Sequence, residues 1–382
     1  MNLIYLDNNA TTRIDPSVFA AMEPYFCDLY GNASSHSHVM GWQAESAVSQ
    51  AILKIAKMIN AEPNEIIITS GSSESNNMVL KGLGLSCKDH IIVSCIEHKC
   101  ILNTALFLAS NNRVGLDIIP CDRKGLVSPL GVESAIKPNT KLASIMLGNN
   151  EIHSINDIHQ ISKVCQKNNV LLHVDATQAI GKINVDVKQL NVDFLSFSSH
   201  KFYGPKGIGA LFIKGGAKDS QLTPLIHGGS QQGNLRGGTM AVPLIVGMGA
   251  ASEITSSFIQ NKGENRIIQL TKLFYSNLRN EINEVQLNGP DIDDRLPGGL
   301  SITIPQIDMG KVQFACPNIC FSRGAACSSG DLDYSYVLKS LGLTASDAAG
   351  TARFCIGRFN SLDDIYFASQ SIINAVKKQY KK

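Results

Sequence analysis

The sequence has almost no excess of charge of one sign. It contains 34 Lys and Arg against 32 Asp and Glu, a formal net charge of +2 at pH 7. Its dense basic cluster is confined to the C-terminal residues Lys377, Lys378, Lys381 and Lys382, and such chain ends are usually solvated. Proteins that bind nucleic acid through its phosphates carry a basic face. We therefore expect no direct binding of nucleic acid.

Long hydrophobic runs and a secretion signal are also missing. We find no apolar run that approaches the roughly 18–20 residues of a membrane span. Residues 1–12 include Asp7 and lack the basic start of a signal peptide. The 10 cysteines are too sparse in 382 residues for a disulfide scaffold, and cytosolic cysteines are mostly reduced. These absences predict a cytoplasmic protein that does not associate with membranes.

The hydrophobic pattern predicts an α/β fold. Short β-rich runs alternate with longer amphipathic stretches as far as about residue 255. The predicted strands are residues 65–69, 90–93, 115–119, 141–146, 170–174, 194–197 and 210–213, and the predicted helices include 46–59, 74–83, 155–167 and 186–190. This alternation is typical of a mostly parallel sheet with helices on both faces. We assign it to a large domain over residues 14–255.

The pattern changes after residue 255. A helical stretch over residues 253–284 is interrupted at residues 262–263, and a strand at 299–304 and helices at 334–341 and 362–377 follow. Separate runs of helix and strand indicate an α+β unit. We predict a smaller domain formed by residues 1–13 and 256–382.

One lysine stands where α/β proteins bind ligands. Lys201 follows the predicted strand 194–197, beside His200, and precedes a turn rich in Gly and Pro. Open α/β sheets bind ligands beyond the carboxyl ends of their strands. Most lysines nevertheless only extend an apolar stem towards solvent, as we expect of Lys206 in the same turn. Other residues must decide whether Lys201 takes part in chemistry.

Polar side chains follow four other predicted strands. They are the serine-rich turn 70–73, which opens a helix, His98, Asn150, and Asp175 with Gln178. Each has an ordinary explanation on its own: Asp175 and the serines could cap helices, His98 could be a structural histidine, and Asn150 could belong to a turn. Because all follow strands of one predicted sheet, we expect them to share one pocket with Lys201.

Together these groups describe a pyridoxal-phosphate site. A fixed carboxylate, here Asp175, keeps the ring nitrogen protonated and the cofactor an electron sink. A helix N-terminus binds a phosphate, and His98 could stack on the ring and move protons near neutral pH. A nicotinamide dehydrogenase is disfavoured, because we find no Gly-x-Gly-x-x-Gly between a strand and a helix. A non-enzymatic scaffold would be colourless, whereas a lysine-bound cofactor absorbs visible light.

The same residues resemble a known family. The segments are Tyr5-Leu-Asp-Asn-Asn-Ala-Thr-Thr12, Thr69-Ser-Gly-Ser-Ser-Glu-Ser75, Glu97-His-Lys99, Asn149-Asn-Glu-Ile152, His173-Val-Asp-Ala-Thr-Gln178, Ser199-His-Lys201, Tyr203-Gly-Pro-Lys-Gly-Ile-Gly-Ala210 and Arg236-Gly-Gly-Thr239. In this order and spacing they resemble cysteine desulfurases of the NifS/IscS type. These belong to the class V aminotransferase group and have the fold-type I pyridoxal-phosphate architecture, with a large sheet domain of seven-stranded type and a smaller α+β domain.

The resemblance implies a role for each candidate residue. Lys201 would bind the cofactor and act as the catalytic base, Asp175 would contact the ring nitrogen, His98 the ring face, and Asn150 and Gln178 the region of the 3-hydroxyl. The phosphate would be held by Ser72, Ser73, Ser198 and His200 and by the partner subunit's Thr239, which implies a homodimer. Arg353 and Asn32 would bind the L-cysteine substrate, since arginine suits a carboxylate.

The resemblance also implies that Cys327 is the sulfur acceptor. Cys327 lies among small residues, in Ser322-Arg-Gly-Ala-Ala-Cys327, and its persulfide would pass sulfur to acceptor proteins. Iron–sulfur cluster assembly, tRNA thiolation and DNA phosphorothioation are the implied destinations. Another lyase or aminotransferase of the same fold, such as a selenocysteine lyase, is the alternative, and such an enzyme would keep Lys201, Asp175 and Arg353 but would not need Cys327. A metal site of Cys316, Cys320 and Cys327 is disfavoured because zinc ligands usually come in closely spaced pairs, so we predict none.

Several positions depart from the family pattern. The usual Asn-Pro is Asn32-Ala33, and His153 stands where a Gly usually follows Asn-Asn-Glu-Ile. Met309 and Arg323 replace residues of the usual Gly-Glu-Ser and Ser-Ser-Gly-Ser-Ala-Cys motifs. Every proposed catalytic position is nevertheless filled, so the departures bear on the Cys327 loop and its acceptor.

Overall fold

A computed structural model describes residues 3–218, 220–324 and 334–380. Its strands are β1 Ile4–Tyr5, β2 Ile66–Thr69, β3 His90–Ser94, β4 Gly115–Ile119, β5 Thr140–Ser144, β6 Leu171–Asp175, β7 Phe194–Ser198, β8 Gly209–Ile213, β9 Gln286–Leu287, β10 Gly299–Thr303, β11 Ile319–Cys320, β12 Ser322–Arg323 and β13 Thr351–Cys355. Its α-helices are α1 Pro16–Met22, α2 Pro24–Cys27, α3 Val39–Met58, α4 Ser72–Gly82, α5 Lys99–Asn111, α6 Pro129–Ala135, α7 Ile158–Lys167, α8 Val187–Leu190, α9 Val242–Gln260, α10 Glu264–Glu281, α11 Met309–Ala315, α12 Tyr336–Ser340, α13 Ala345–Ala349 and α14 Leu362–Tyr380.

A seven-stranded sheet forms the centre of the molecule. Its strand order is β2-β8-β7-β6-β5-β3-β4. β8 runs antiparallel to both neighbours, and the other pairs are parallel. Strands such as β3 are buried along their whole length, as expected for a sheet covered on both faces. The predicted α/β fold with a mostly parallel sheet is confirmed.

The predicted helix interruption at residues 262–263 is also present. α9 ends at Gln260 and α10 begins at Glu264. Lys262 lies between them with φ of 53°, a left-handed conformation that an α-helix does not accommodate. The break therefore comes from the backbone of the connecting turn.

One helix corrects the expectation about hydrophobic runs. α9 has 19 residues and a mean hydropathy of 1.4, so it is long and apolar enough to cross a membrane by length and composition. Core helices of soluble proteins meet the same criterion. α9 packs closely along α3, where a Cβ on Gly249 would lie 2.7 Å from the Cα of Ala51. The length and hydropathy of α9 are therefore only weak evidence for a membrane-spanning segment.

A second layer of structure comes from both ends of the chain. β12, β13, β10 and β9 form an antiparallel sheet in that order, and β1 pairs with β11 in parallel. Phe274 of α10 and Phe354 of β13 pack edge to face in its core, with ring centroids 5.0 Å apart. Arg353 lies on β13 of this second layer, and its side chain contacts Asn150, which follows β5 of the large sheet.

Candidate active site

A tight turn between β2 and α4 forms the first wall of the site. Gly71 precedes α4 with φ of 153°, which side chains rarely allow, and no described side chain caps the helix. A Cβ on Gly209 of β8 would lie 2.7 Å from the Cα of Gly71, so the two backbones require glycine at this approach. A Cβ on Gly71 would lie 3.6 Å from Ser198 Oγ. The first-turn amides, with Ser72 and Ser73, therefore lie beside Ser198 and suit an anion.

Asp175 ends β6 and is held rigidly. It is 3% exposed. Its Oδ1 accepts a hydrogen bond from the Thr177 amide at 2.9 Å, and its Oδ2 accepts one from Asn76 Nδ2 at 2.9 Å. These two hydrogen bonds fix the orientation of the carboxylate. The oxygen of the Asn76 side chain is buried without a partner among the described residues.

His98 is linked to Asn76, the neighbour of Asp175, through the thiol of Cys100. It caps α5 and is exposed. Its Nδ1 lies 3.0 Å from Cys100 Sγ, which also accepts a hydrogen bond from Asn76 Nδ2 at 3.1 Å. Burial, followed by the charge of Asp175, raises the pKa of Cys100 to about 11. Cys100 is thus a neutral thiol between His98 and the carboxylate, a residue that the sequence patterns did not single out.

Lys201 follows β7 in a short 3-10 helix, Ser199–Lys201. Its Nζ donates hydrogen bonds to the carbonyl oxygens of Asn9 at 2.5 Å and Ala10 at 2.8 Å. Burial, together with the positive charges of Lys182 and Arg353, lowers the pKa of Lys201 to about 8. A pKa near 8 leaves roughly a tenth of the amine neutral at pH 7, far more than an exposed lysine would have.

Asn9 joins several of the predicted residues. Its carbonyl also accepts from Gln178 Nε2 at 3.0 Å, and its Nδ2 donates to the carbonyl of Asn150 at 2.9 Å. Its Oδ1 accepts from Lys182 Nζ at 2.5 Å, and Lys182 also donates to Gln178 Oε1 at 3.0 Å. Sequence reasoning assigned no role to Asn9 or Lys182. The Asn-Asn pair of the N-terminal segment was the available signal for Asn9.

Arg353 enters the site from β13. Its Nη2 donates to Asp7 Oδ1 and to Ser322 Oγ, both at 2.8 Å, and its Nη1 donates to the carbonyl of Asn150 at 3.3 Å. Its Nε is buried with no acceptor among the described residues. Asp7 balances the arginine charge, and the unpartnered Nε leaves donor capacity for a carboxylate.

His200 is a neutral member of the site. Its Nδ1 lies 3.0 Å from Thr11 Oγ1. Burial, with the charges of Lys201 and Lys206, lowers the pKa of His200 to about 4. A neutral imidazole can donate one hydrogen bond to a phosphate without adding a charge.

Asn32 and Thr239 make no hydrogen bond to this group within the described ranges. Asn32 is exposed, and its Oδ1 accepts from the Ser34 amide at 2.9 Å. Thr239 is exposed near the turn of Arg236, which pairs with Glu74 at 2.9 Å. Cys327 lies outside the described residues. The roles of all three stay predictions.

The assembled residues fit pyridoxal phosphate. An amine of lowered pKa, a hydrogen-bonded carboxylate and a helix N-terminus without a side-chain cap occur together. A Cβ on Gly71 would meet nothing closer than Ser198 Oγ at 3.6 Å, so the turn before the helix is open on that side. The side-chain oxygens of Asn76 and Thr177 and the Nε of Arg353, unpartnered among the described residues, add buried polar groups at the same site. Lys201, Asp175 and His98 would hold the ring, and Ser72, Ser73, Ser198 and His200 the phosphate.

Comparison with known proteins identifies the family of the chain. The model of the family Aminotransferase class-V matches residues 4–366. A protein named Cysteine desulfurase IscS from Rickettsia prowazekii is 40% identical over 378 residues, 98% of this chain and 91% of the relative. Of solved structures, a NifS-like protein is 33% identical with a TM-score of 0.90, covering 98% of this chain and all of its own.

A second solved structure is described as SspA in complex with cysteine. It is 36% identical with a TM-score of 0.82, over 94% of this chain and 100% of its own. The family model, the sequence relatives and the solved structures therefore agree on the family of this chain. The chain belongs to the class-V aminotransferase family and, within it, to the cysteine desulfurases of the NifS/IscS type.

Proposed function

We propose that this protein takes sulfur from L-cysteine, releases L-alanine and holds the sulfur as a persulfide on Cys327 for transfer to acceptor proteins. The observation that carries the proposal is the meeting of Lys201, whose pKa is lowered to about 8, with Asp175 and Arg353 in one site. Family membership supplies the reaction class.

Each residue has a task in this reaction. Pyridoxal phosphate bound here would act as an electron sink for the substrate Cα. Lys201 Nζ takes the proton from Cα, since part of it is neutral at pH 7. Arg353 binds the substrate carboxylate through its free donor capacity. Asn150 and Gln178 orient the ring.

The sulfur step uses Cys327 and His98. The Cys327 thiolate forms an S–S bond with the substrate sulfur while the Cβ–S bond breaks, and the three-carbon remainder leaves as alanine. Only a few per cent of an ordinary thiol is ionised at pH 7. The exposed imidazole of His98 moves the thiol proton.

We propose that the active protein is a cytoplasmic homodimer. α1, α2 and α3 expose Phe19, Phe26, Val39 and Trp42 by 53 to 56% each, and exposed clusters of large hydrophobic side chains are typical of interfaces. The exposed Thr239 then reaches the phosphate of the partner. Sedimentation should give about twice the chain mass of 41.2 kDa, and a mass of one chain at micromolar concentration would contradict this proposal.

We also propose the two-domain division at about residue 255. One apolar core contains Ile4, Leu6 and residues from Ile267 to Val376, which supports the union of the N-terminal segment with the C-terminal part. Helix α9 continues through residue 255 to Gln260. The small domain would carry Arg353 and the Cys327 segment to the cofactor.

A desulfurase assay tests the proposed function. Purified protein is incubated with pyridoxal phosphate, L-cysteine and a dithiol reductant, and alanine and sulfide are measured. We expect both products in equal amounts, and a fall of about tenfold or more in Cys327→Ser, because serine cannot accept sulfur. Cys87→Ser, an exposed thiol, is the matched control. Equal rates for Cys327→Ser and wild type would refute the persulfide role.

A further inference from the structure

Two thiols outside the proposed chemistry lie in contact at the carboxyl edge of the sheet. Cys95 follows β3, and Cys121 lies just beyond β4, the neighbouring parallel strand. Their sulfur atoms are 3.7 Å apart. The Cys95 amide also donates to the carbonyl of Ile119 at 2.9 Å, so the two chain segments stay side by side.

The separation suits a covalent bond between the two sulfurs. Neighbouring strands lie about 4.8 Å apart, and disulfides join Cα atoms about 4.4–6.8 Å apart. The sulfurs are already in van der Waals contact, so side-chain rotation supplies most of the remaining approach. Both residues are partly exposed and follow strand ends, where the backbone adjusts more easily than within the sheet.

The contact between the two sulfurs favours the ionised form at Cys95. The hydrogen bond with Cys121, and a further one with Ser340 of α12, lower the pKa of Cys95 to about 6 against the effect of burial. The same contact raises the pKa of Cys121. A thiolate next to a neutral thiol is the arrangement in which the first attacks and the second resolves.

We propose that Cys95 and Cys121 are a redox-active dithiol that a peroxide converts reversibly into an intramolecular disulfide. The Cys95 thiolate attacks one peroxide oxygen, its sulfur becomes a sulfenic acid, and hydroxide leaves and takes up a proton to form water. The Cys121 sulfur then attacks the Cys95 sulfur; the S–S bond forms, the S–O bond breaks, and a second water leaves. Two thiols are oxidised while one peroxide is reduced to two waters.

The test uses the wild-type holoenzyme and, separately, the Cys327→Ser holoenzyme. The comparison distinguishes oxidation of Cys327 from oxidation of Cys95 and Cys121. Reduced and desalted protein is treated with stoichiometric hydrogen peroxide, quenched with N-ethylmaleimide and digested with trypsin. Residues 89–99 and 114–123 are separate tryptic peptides, each with one cysteine. We expect these two peptides joined by a disulfide in both proteins, and separated again by dithiothreitol.

The rate of oxidation distinguishes a specific reaction of Cys95 and Cys121 from the general reactivity of exposed thiols. The joined peptides should form at least tenfold faster than oxidation at Cys27 and Cys87, which are exposed and have no sulfur partner among the described residues. In Cys121→Ser, Cys95 should instead be trapped by dimedone as sulfenic acid. The proposal fails if Cys95 reacts no faster than Cys87, if Cys95 pairs with Cys327, or if it passes to sulfinic acid while Cys121 stays reduced.

Discussion

Lys201→Ala abolishes alanine formation from L-cysteine, with an expected fall of about 10⁴-fold or more. The variant would lose both the amine proposed to hold the cofactor and the base proposed to move the Cα proton. The variant should also lose the visible absorption of the lysine-bound cofactor after desalting. Alanine release and the absorption spectrum are the two measurements.

The fold should survive this substitution. Lys201 Nζ donates to the carbonyls of Asn9 and Ala10, and Gln178 still donates to the first of them at 3.0 Å. The loss of one such donor costs about 1–3 kcal/mol. Lys206→Ala is the matched control, because Lys206 is exposed in the same turn. If Lys206→Ala, and not Lys201→Ala, removed the colour, the assignment of the cofactor lysine would be wrong.

The sheet could be predicted from the sequence because each strand has a recognisable local sequence pattern. Buried strands of a parallel sheet read as short continuous apolar runs, as in β2 and β3. The predicted residues 115–119 coincide with β4, and the other predicted strands end within two residues of the observed ones. In the structure, Lys201 and His98 lie beyond the ends of β7 and β3, and Asp175 is the last residue of β6.

The hydrogen bonds that join the site could not be predicted in the same way. Asn9 contacts Gln178 and Lys201, which are 169 and 192 residues away along the chain. Such contacts depend on how the N-terminal segment folds over the sheet, and periodicity carries no information about it. Cys100 and Asn76 were missed for a similar reason, because each looks like an ordinary helical residue until Asp175 is placed beside them.

The structure shows the surroundings of His153, which stands where the family pattern usually has a glycine. His153 has φ of 65°, a conformation that glycine adopts without strain. Both ring nitrogens are buried with no partner in the described part of the chain. Burial and the charge of Arg295 lower the pKa of His153 well below its ordinary value, so the ring is neutral. The position therefore accommodates a histidine by packing it against Gly299, where a Cβ would lie 2.1 Å from the ring.

Asp175→Asn should lower the rate of alanine formation by about 10²–10³-fold, the cost of removing one fixed charge from a desolvated site. In the proposed site, the Asp175 carboxylate would provide the negative charge that keeps the ring nitrogen of the cofactor protonated. The asparagine has the same shape and no charge. Initial rates at saturating pyridoxal phosphate measure the effect, and bound cofactor is quantified in parallel to separate weaker binding from slower chemistry.

The variant is expected to fold because its neighbours can satisfy the new amide. The oxygen of the introduced asparagine can still accept from the Thr177 amide, and its NH₂ group can donate to Asn76 once the Asn76 side chain turns its oxygen inward. Asp193→Asn is the matched control: Asp193 accepts from the Leu172 amide at 2.8 Å, at the opposite end of β6.

Wild-type rates for Asp193→Asn together with a fall for Asp175→Asn would locate the required charge at the carboxyl end of the strand. An Asp175→Asn enzyme with wild-type turnover would show that the ring nitrogen needs no carboxylate here. The assignment of Asp175 would then fall, although the lysine assignment would stand, because Lys201 is held by the carbonyls of Asn9 and Ala10. The two substitutions therefore test the amine and the carboxylate of the site independently.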